Sequence, residues 1–306
     1  MKKDEKTLQK FETLSDAHRA FGLPQPKHPL ISLLNGAPPW SEVHPPSGHH
    51  VLGFFKISYK PKLAGKLKYG QGYYDFDEGG LLFASPGQIM GSGEDERTVC
   101  SEYTLLIHPD FFLGYPVSKK ISQYGFFSYA TNETLHLSEN EKATIISIFR
   151  IMEEELNGRI DDFSHDVIIS QIELLLTYAN RFYRRQFITR KTVSHDLLQR
   201  LEDLLNSYFN SEHSLSNGIP TVQYLAENLH LSPSYLSDML RILTGQNAQQ
   251  HIHDKLIEKA KEKLSTTSLS VSEVAYALGF EHPQSFSKLF KTKTKLSPLE
   301  FRRSFN

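Results

Sequence analysis

The sequence predicts a multidomain chain, with a sheet-rich front that turns helical and an all-α C-terminal domain built from two helix-turn-helix units. Three observations predict it. Short apolar and aromatic runs split by Gly and Pro fill residues 30–106, the texture of a sandwich or barrel. From Ser138 onward the apolar residues recur at helical spacing instead. In the last third, 221–241 and 271–291 repeat one pattern, a small residue in a first helix, a turn, and a second helix with apolar residues at helical steps. At 306 residues the chain can hold two cores. The expected boundaries are 1–137 for the sheet domain, 138–184 for the helical segment, 185–196 for a linker and 197–306 for the C-terminal domain.

In chain order, 7–21 reads as a short helix ahead of the Pro-rich stretch 23–29, and 51–59, 72–76, 80–84 and 103–107 read as strands. Trp40, Phe55, Tyr59, Tyr73 and Phe83 are the candidates for lining a small-molecule pocket, because pockets are mostly apolar with few polar anchors. Ordinary core packing is the competing reading for each. A metal centre needs imidazoles that converge, and His44, His49, His50 and His108 lack that spacing; adjacent residues such as His49 and His50 point to opposite faces of a strand. A strained Gly-x-Ser-x-Gly turn is also missing from the sequence. No metal, cofactor or catalytic residue is therefore expected. Cys100 is the single cysteine, so an internal disulfide is impossible and a reducing compartment fits. No apolar run reaches membrane-spanning length and no apolar segment follows the lysine-rich start, so the expectation is a cytoplasmic protein with no membrane partner.

Ser138 and Glu141 form a capping-box pattern that opens a helix near 139–156, with a second near 164–184 and Asn157-Gly158 as the break. In the second helix Ile168, Ile172, Leu175, Ala179 and Phe182 step by four and three, a heptad seam expected to meet a second copy of the chain. The competing reading packs this helix onto the sheet, a role open to the flank Val167, Leu174 and Tyr178. The polar, basic stretch 185–196 reads as a linker.

In the paired units, Ala226 and Ala275 supply the close crossing of two helices. Gly279 lies four residues after Ala275, where positive φ costs little, and His230 holds the equivalent place in the first unit. Leu231 and Phe280 plug the turns, and Leu236, Leu240, Phe286 and Phe290 form the buried side of the second helices. Ser232-Pro233 places a capping hydroxyl before a helix-starting proline, and Ser270…Glu273 and Ser297…Glu300 fit the capping box. Residues 247–264 read as one amphipathic helix with Ile252, Leu256 or Ile257, Ala260 and Leu264 in a stripe. A stiff connector holds two recognition helices at one separation, and about 34 Å is what successive major-groove segments on one duplex face require. The pair points to a reader of double-stranded DNA.

Residues 197–303 resemble the DNA-binding domain of the AraC/XylS family of bacterial transcription regulators. The second unit carries the more specific match, in Ser272-Glu273-Val274-Ala275, Gly279-Phe280, Phe286, Phe290-Lys291, Ser297-Pro298 and Phe301-Arg302. The first matches in Leu225-Ala226, Ser232-Pro233, Tyr235-Leu236 and Gly245. The chain departs from the family pattern at Asp238, where Arg or another polar donor is common, at Lys295, where glycine is usual, and at Leu256, where a basic residue is common. Segment 77–88 is similar to the strand-turn of the small cupin-like jelly-roll effector domains that precede many such DNA-binding domains. The resemblance implies a homodimeric, sequence-specific transcription regulator with promoter DNA and RNA polymerase as partners and a small-molecule effector for its N-terminal domain. The alternative is a cupin-type metal enzyme with an appended interaction domain.

The DNA-contact candidates are the residues off the apolar stripes: Ser234, Tyr235, Ser237, Asp238 and Arg241 in the first unit, His282, Gln284, Ser285, Lys288 and Lys291 in the second. By the resemblance, Ser234, Ser237, Asp238, Gln284 and Lys288 read bases: Gln bridges adenine, Lys donates to guanine, Asp accepts from cytosine N4. Asp238 repels phosphate, which leaves it as a base reader, an anchor for Arg241, or a solvated charge. Over 195–306 there are 12 Lys and Arg against 12 Asp and Glu, so the domain is neutral and dimers are expected to supply the missing affinity. Lys288, Lys291, Lys293, Lys295, Arg302 and Arg303 cluster near the end and read as a phosphate clamp, or else as a solvated lysine face.

Overall fold

In the computed structural model the described residues are 9–36, 49–61, 66–69, 72–75, 79–91, 101–130, 133–158, 161–189, 191–211 and 213–304. They fall into two units, Met1–Gln186 and Phe187–Asn306. Among them the strands are β1 (Gln9–Phe11), β2 (Ile31–Asn35), β3 (His49–Leu52), β4 (Phe55–Lys60), β5 (Lys66–Tyr69), β6 (Gly72–Asp75), β7 (Gly80–Ala84), β8 (Ile89–Gly91), β9 (Tyr103–Ile107) and β10 (Leu135–His136). An antiparallel five-stranded sheet runs β10-β7-β4-β9-β2, a three-stranded sheet runs β1-β3-β8 with β1 parallel to β3, and β5 pairs antiparallel with β6. The expectation of a sheet-rich front holds to this extent; the jelly-roll topology goes further than these strands do.

The run 51–59 divides at Gly53 into strands of different sheets. Gly53 N–H donates to Phe11 O at 2.7 Å, and a Cβ at this glycine would stand 3.2 Å from Glu12 Cα. The chain therefore crosses over the β1 backbone here, and Phe54 drops into a core with Phe11, Leu14, Ala17, Leu52 and Leu106. Leu14 and Ala17 come from α1 (Leu14–Ala20), shorter than the helix expected over 7–21 because Thr13 caps it by accepting from Asp16 N–H at 3.1 Å.

Cross-strand pairs Ile57↔Phe83, Ile57↔Leu105 and Tyr59↔Leu81 place these residues, with Phe55, on one face of the large sheet. That face is covered. Tyr103 stacks on Phe149 of α3 (Glu139–Asn157) at 5.1 Å, and Phe83 lies 6.3 Å from Tyr183 of α4 (Ser164–Thr189). The 3-10 turns Pro109–Phe112 and Gly125–Ser128, on either side of α2 (Val117–Lys120), add Phe112, Phe126 and Phe127. Ring centroids stand 4.5 Å apart for Phe83 and Phe126 and 5.2 Å for Phe55 and Phe127. So the expected pocket residues Phe55, Tyr59 and Phe83 are packed against rings and helices; Trp40 and the side chain of Tyr73 lie outside the described residues. A cavity of 560 Å³ opens elsewhere in this unit, lined by Asn35, Glu102, Tyr103, Arg150, Glu153, Glu154 and Asn157.

The two expected helices are present, α3 opening on the Ser138/Glu141 capping box. On α4 the seam needs correcting. Ile168, Ile172, Leu175, Ala179 and Phe182 are at most 6% exposed within the single chain, because this stripe faces the core of its own unit. The outward stripe is the flank: Val167 and Leu174 are 36% and 41% exposed, next to Phe163 at 71%. Both stripes advance by four and three, so spacing alone does not tell which one faces in.

The stretch 185–196, expected as the linker, contains the division between the two units, after Gln186, and its described residues are helical. Residues 185–189 continue α4, and 191–196 begin α5 (Lys191–Asn210). The stretch contains neither Pro nor Gly, and Arg, Lys and Gln are good helix formers. Its first residues also tie α4 to the sheet. Gln186, 1% exposed, accepts from His136 N–H at 2.9 Å and donates to Thr134 O at 3.3 Å. Arg185 donates to His136 O at 2.8 Å and pairs with Glu141 at 2.7 Å. β10 ends the five-stranded sheet, and the Gln186 amide supplies the hydrogen bonds that a further strand would have made.

The second unit is helical: after α5 come α6 (His213–Asn217), α7 (Val222–Leu229), α8 (Pro233–Thr244), α9 (Ala248–Thr266), α10 (Val271–Ala277), α11 (Pro283–Thr294) and α12 (Pro298–Arg303). Among the described residues no helix is long and apolar enough to cross a membrane.

Gln186→Ala removes the two amide hydrogen bonds to His136 N–H and Thr134 O. It is expected to lower stability by about 1–3 kcal/mol in urea denaturation of the full chain, the scale of two lost buried hydrogen bonds.

Candidate nucleic-acid interface

The two helix-turn-helix units share one backbone device. In the first, α7 ends at His230 in the left-handed region (φ 58°, ψ 42°), and Leu231 N–H donates to Ala226 O at 2.9 Å. In the second, Gly279 takes φ 88° and Phe280 N–H donates to Ala275 O at 3.0 Å. The carbonyl of the small residue thus receives the plug residue, and the missing side-chain bulk lets the next helix cross closely. Ala226 and Ala275 are fully buried, as are Leu236, Leu240, Phe286 and Phe290 on the inner sides of α8 and α11.

The helix starts follow the sequence signals. Ser232 accepts from Tyr235 N–H at 3.2 Å, with Pro233 beginning α8. Full capping boxes form at Ser270/Glu273 and Ser297/Glu300. Bonds from the backbone N–H of Ser270 and of Ser297 hold these two carboxyls below the usual carboxylate range. α9 starts on an Asn247/Gln250 box, and its buried stripe contains Ile252, Leu256, Ile257, Ala260 and Leu264. Leu256, where the family favours a basic residue, is fully buried.

The recognition faces of α8 and α11 differ. On α11, His282 at the N-cap and Gln284, Ser285, Lys288 and Lys291 beyond it are all exposed. On α8, Ser234, Ser237 and Asp238 are half-buried, and only Arg241 of the expected set is fully exposed. Asp238 and Arg241 pair at 2.8 Å, one turn apart, so of the roles open to Asp238 the anchoring of Arg241 is the one realised here.

Tyr235 requires correction. It is 1% exposed, its ring meets Phe187 edge-on at 5.0 Å, and it cannot reach a base edge without unpacking the domain. Its position one residue before Leu236 widens the buried face of α8 to include Met239. The phosphate clamp is also smaller than expected. Lys293 is held by Asp254 at 2.7 Å, and Arg302 donates to Leu264 O at 3.2 Å. Lys288, Lys291, Lys295 and Arg303 remain exposed. Lys295, where the family has glycine, adopts φ 67° as the left-handed C-cap of α11.

Sequence patterning missed the contact that aligns the two units. A Cβ on Gly279 would lie 2.5 Å from Gly218 C and 2.7 Å from Gly218 O, so the second turn presses on the backbone that leads into α7. Ser214 Oγ donates to Ala277 O at 3.0 Å beside it. The positive φ of Gly218 and Gly279 is the residue-level trace of this contact, but the partners stand 61 residues apart. Gly279→Ala adds both a clash and left-handed strain. A loss of about 2 kcal/mol or more is expected in denaturation followed by helical circular dichroism, together with weakened DNA binding.

Residues 225–304 match the profile of a helix-turn-helix domain family. An uncharacterized HTH-type transcriptional regulator, YobQ of Bacillus subtilis, is 28% identical over 202 residues, 65% of this chain and 78% of that protein. The arabinose operon regulatory protein of Salmonella typhimurium is 30% identical over 140 residues, 46% of this chain and 47% of its own length. For most curated relatives it matches, the chain spans about half their length or less. Among solved structures, the DNA-binding domain of AdpA in complex with a target DNA is 26% identical, covering 34% of this chain and 91% of that one with a TM-score of 0.30. The match to the helix-turn-helix profile falls on the two units just described, and the curated relatives are named as transcriptional regulators. The C-terminal unit carries an AraC-type helix-turn-helix DNA-binding domain.

Proposed function

We propose that the protein is a sequence-specific, dimeric regulator that reads promoter DNA mainly through α11. The observation that carries this reading is the uncovered start of α11, where Gln284, Ser285 and Lys288 stand exposed on a proline-initiated helix whose opposite face, Phe286 and Phe290, is fully buried. A major-groove reader needs this division, with base-reading groups outward and an apolar anchor inward. Gln284 pairs with adenine and Lys288 with guanine, while Lys291, Lys295 and Arg303 hold phosphates. α8 contributes Ser234, Ser237 and the Arg241 guanidinium, which Asp238 orients. The metal-enzyme alternative is not favoured, since the matched relatives are regulators.

Dimerisation is assigned to the outward stripe of α4 in place of its buried seam. Phe163, Val167, Ser170, Leu174, Thr177, Arg181 and Arg184 are all exposed and step by four and three, as a two-stranded seam requires. Its charges select the partner's direction. Asp162 and Asp166 lie at the start of the stripe and Arg181 and Arg184 near its end, so an antiparallel second copy sets acid against base and a parallel one sets like charges together. The same reading extends, on the family resemblance, to RNA polymerase as protein partner and to a small-molecule effector held by a cupin-like first unit in the cytoplasm.

Selection of binding sites from random duplex DNA with the full chain tests this reading. Lys288→Ala is expected to weaken binding and relax preference at one guanine position, and Gln284→Ala to relax preference at one adenine position, each at a cost of about 1–3 kcal/mol. Wild-type affinity and specificity in both variants contradict the assignment of α11. For the dimer, Leu174→Asp is expected to yield monomers in sedimentation with helical content unchanged; an undiminished dimer removes α4's outward stripe as the interface.

A further inference from the structure

Asp254 lies on α9, and its two carboxylate oxygens go to different helix-turn-helix units. Oδ1 receives Lys293 Nζ at 2.7 Å, from the last turn of α11. Oδ2 receives Gln246 Nε2 at 2.8 Å, from the loop that follows α8. That loop is itself fixed: Gly245 turns it at φ 79°, Gln246 N–H donates to Thr244 Oγ1 at 3.2 Å, and Thr244 Oγ1 lies 2.9 Å from His251 Nε2 on the first turn of α9. Lys293 and Asp254 are 39 residues apart in the chain.

We propose that Asp254 is a positioning residue that fixes the C-terminal ends of both recognition helices relative to one another, and so determines which spacing between two half-sites the protein prefers. The proposal rests on the DNA-reading role assigned above. Three observations support it beyond the distances. The carboxyl stays ionised: burial alone would raise its pKa, but bonds from Lys293 and Gln246 and the charge of Lys293 outweigh burial and hold it below the ordinary value. Burial lowers the pKa of His251 and of His253, so near neutral pH neither adds a competing positive charge. And the other backbone tie between the units, Gly218 against Gly279, lies beside the start of α7 and the second turn, whereas Asp254 joins the far ends of α8 and α11. Two separated ties are what define an angle between rods; one tie leaves a pivot.

The test uses the full chain as wild type, Asp254→Ala and Lys293→Met, with two measurements. In the first, affinity is determined on a selected duplex and on versions with two base pairs inserted between or deleted from between its half-sites. In the second, without DNA, spin labels at Gln223→Cys and Thr292→Cys, in a Cys100→Ser background, report the distance between α7 and α11. The expected result is a narrow wild-type distance distribution that broadens in both variants. Affinity on the preferred spacing should fall roughly three- to fivefold, the scale of a partly exposed ion pair, while the penalty for altered spacing shrinks by a similar factor. A variant that merely loses stability would lose affinity on all spacings alike and keep the spacing penalty. Unchanged distances and an unchanged penalty in both variants overturn the proposal. If the wild type binds no duplex, the DNA-reading role fails, and the label distances still decide whether Asp254 is a brace.

Discussion

Two glycine backbones in van der Waals contact hold the second unit in register. Gly218, at φ 76°, precedes α7; Gly279, at φ 88°, makes the turn between α10 and α11. No side-chain carbon fits between them. Around this contact Tyr208 donates to Gly218 O at 3.0 Å and Ser214 to Ala277 O at 3.0 Å, so the entry to one helix-turn-helix and the turn of the other share a hydrogen-bonded seat. With α9 burying Ile252, Leu256, Ala260 and Leu264 beneath both, the two reading elements are parts of one core. The AraC-type domain therefore presents its two turns as one rigid body.

Magnitudes explain why the turns tolerate residues that local preference disfavours. His230 and Lys295 take left-handed conformations, each costing about 1–2 kcal/mol for an L-residue. Each fully buried Leu or Phe contributes about 1.5–3 kcal/mol, and the unit buries Leu225, Leu236, Leu240, Phe286 and Phe290 completely. Packing wins. Surface electrostatics are weaker and work on orientation: the Asp238–Arg241 and Asp254–Lys293 pairs are partly exposed, a class worth at most about 1 kcal/mol, yet each fixes where a cation points. Because Lys293 and Arg302 are tied inward, the positive surface left for DNA is narrower than the charge run in the sequence implies.

Local signals in the sequence were legible where chemistry acts over three or four residues. The caps at Ser138, Ser232, Ser270 and Ser297, the left-handed His230 and the buried stripe of α9 all belong to this kind. Signals failed where the partner is distant. Spacing places Tyr235 on the surface, but Phe187, 48 residues earlier, packs against it, and the α4 stripes are distinguished only by the sheet and aromatic turns they meet. A basic, polar stretch concealed Gln186, whose amide completes the edge of β10 some 50 residues upstream. The bend at Gly53, the Gly218–Gly279 seat and the Asp254 carboxylate likewise depend on backbone paths that no spacing rule encodes.

Hydroxyl-radical footprinting of the full-length protein on a selected duplex tests the central claim most directly. Rigidly aligned units predict, within the footprint of each copy, two protected tracts on the same face of the duplex about 10–10.5 base pairs apart. A single tract, or two tracts on opposite faces, would contradict it.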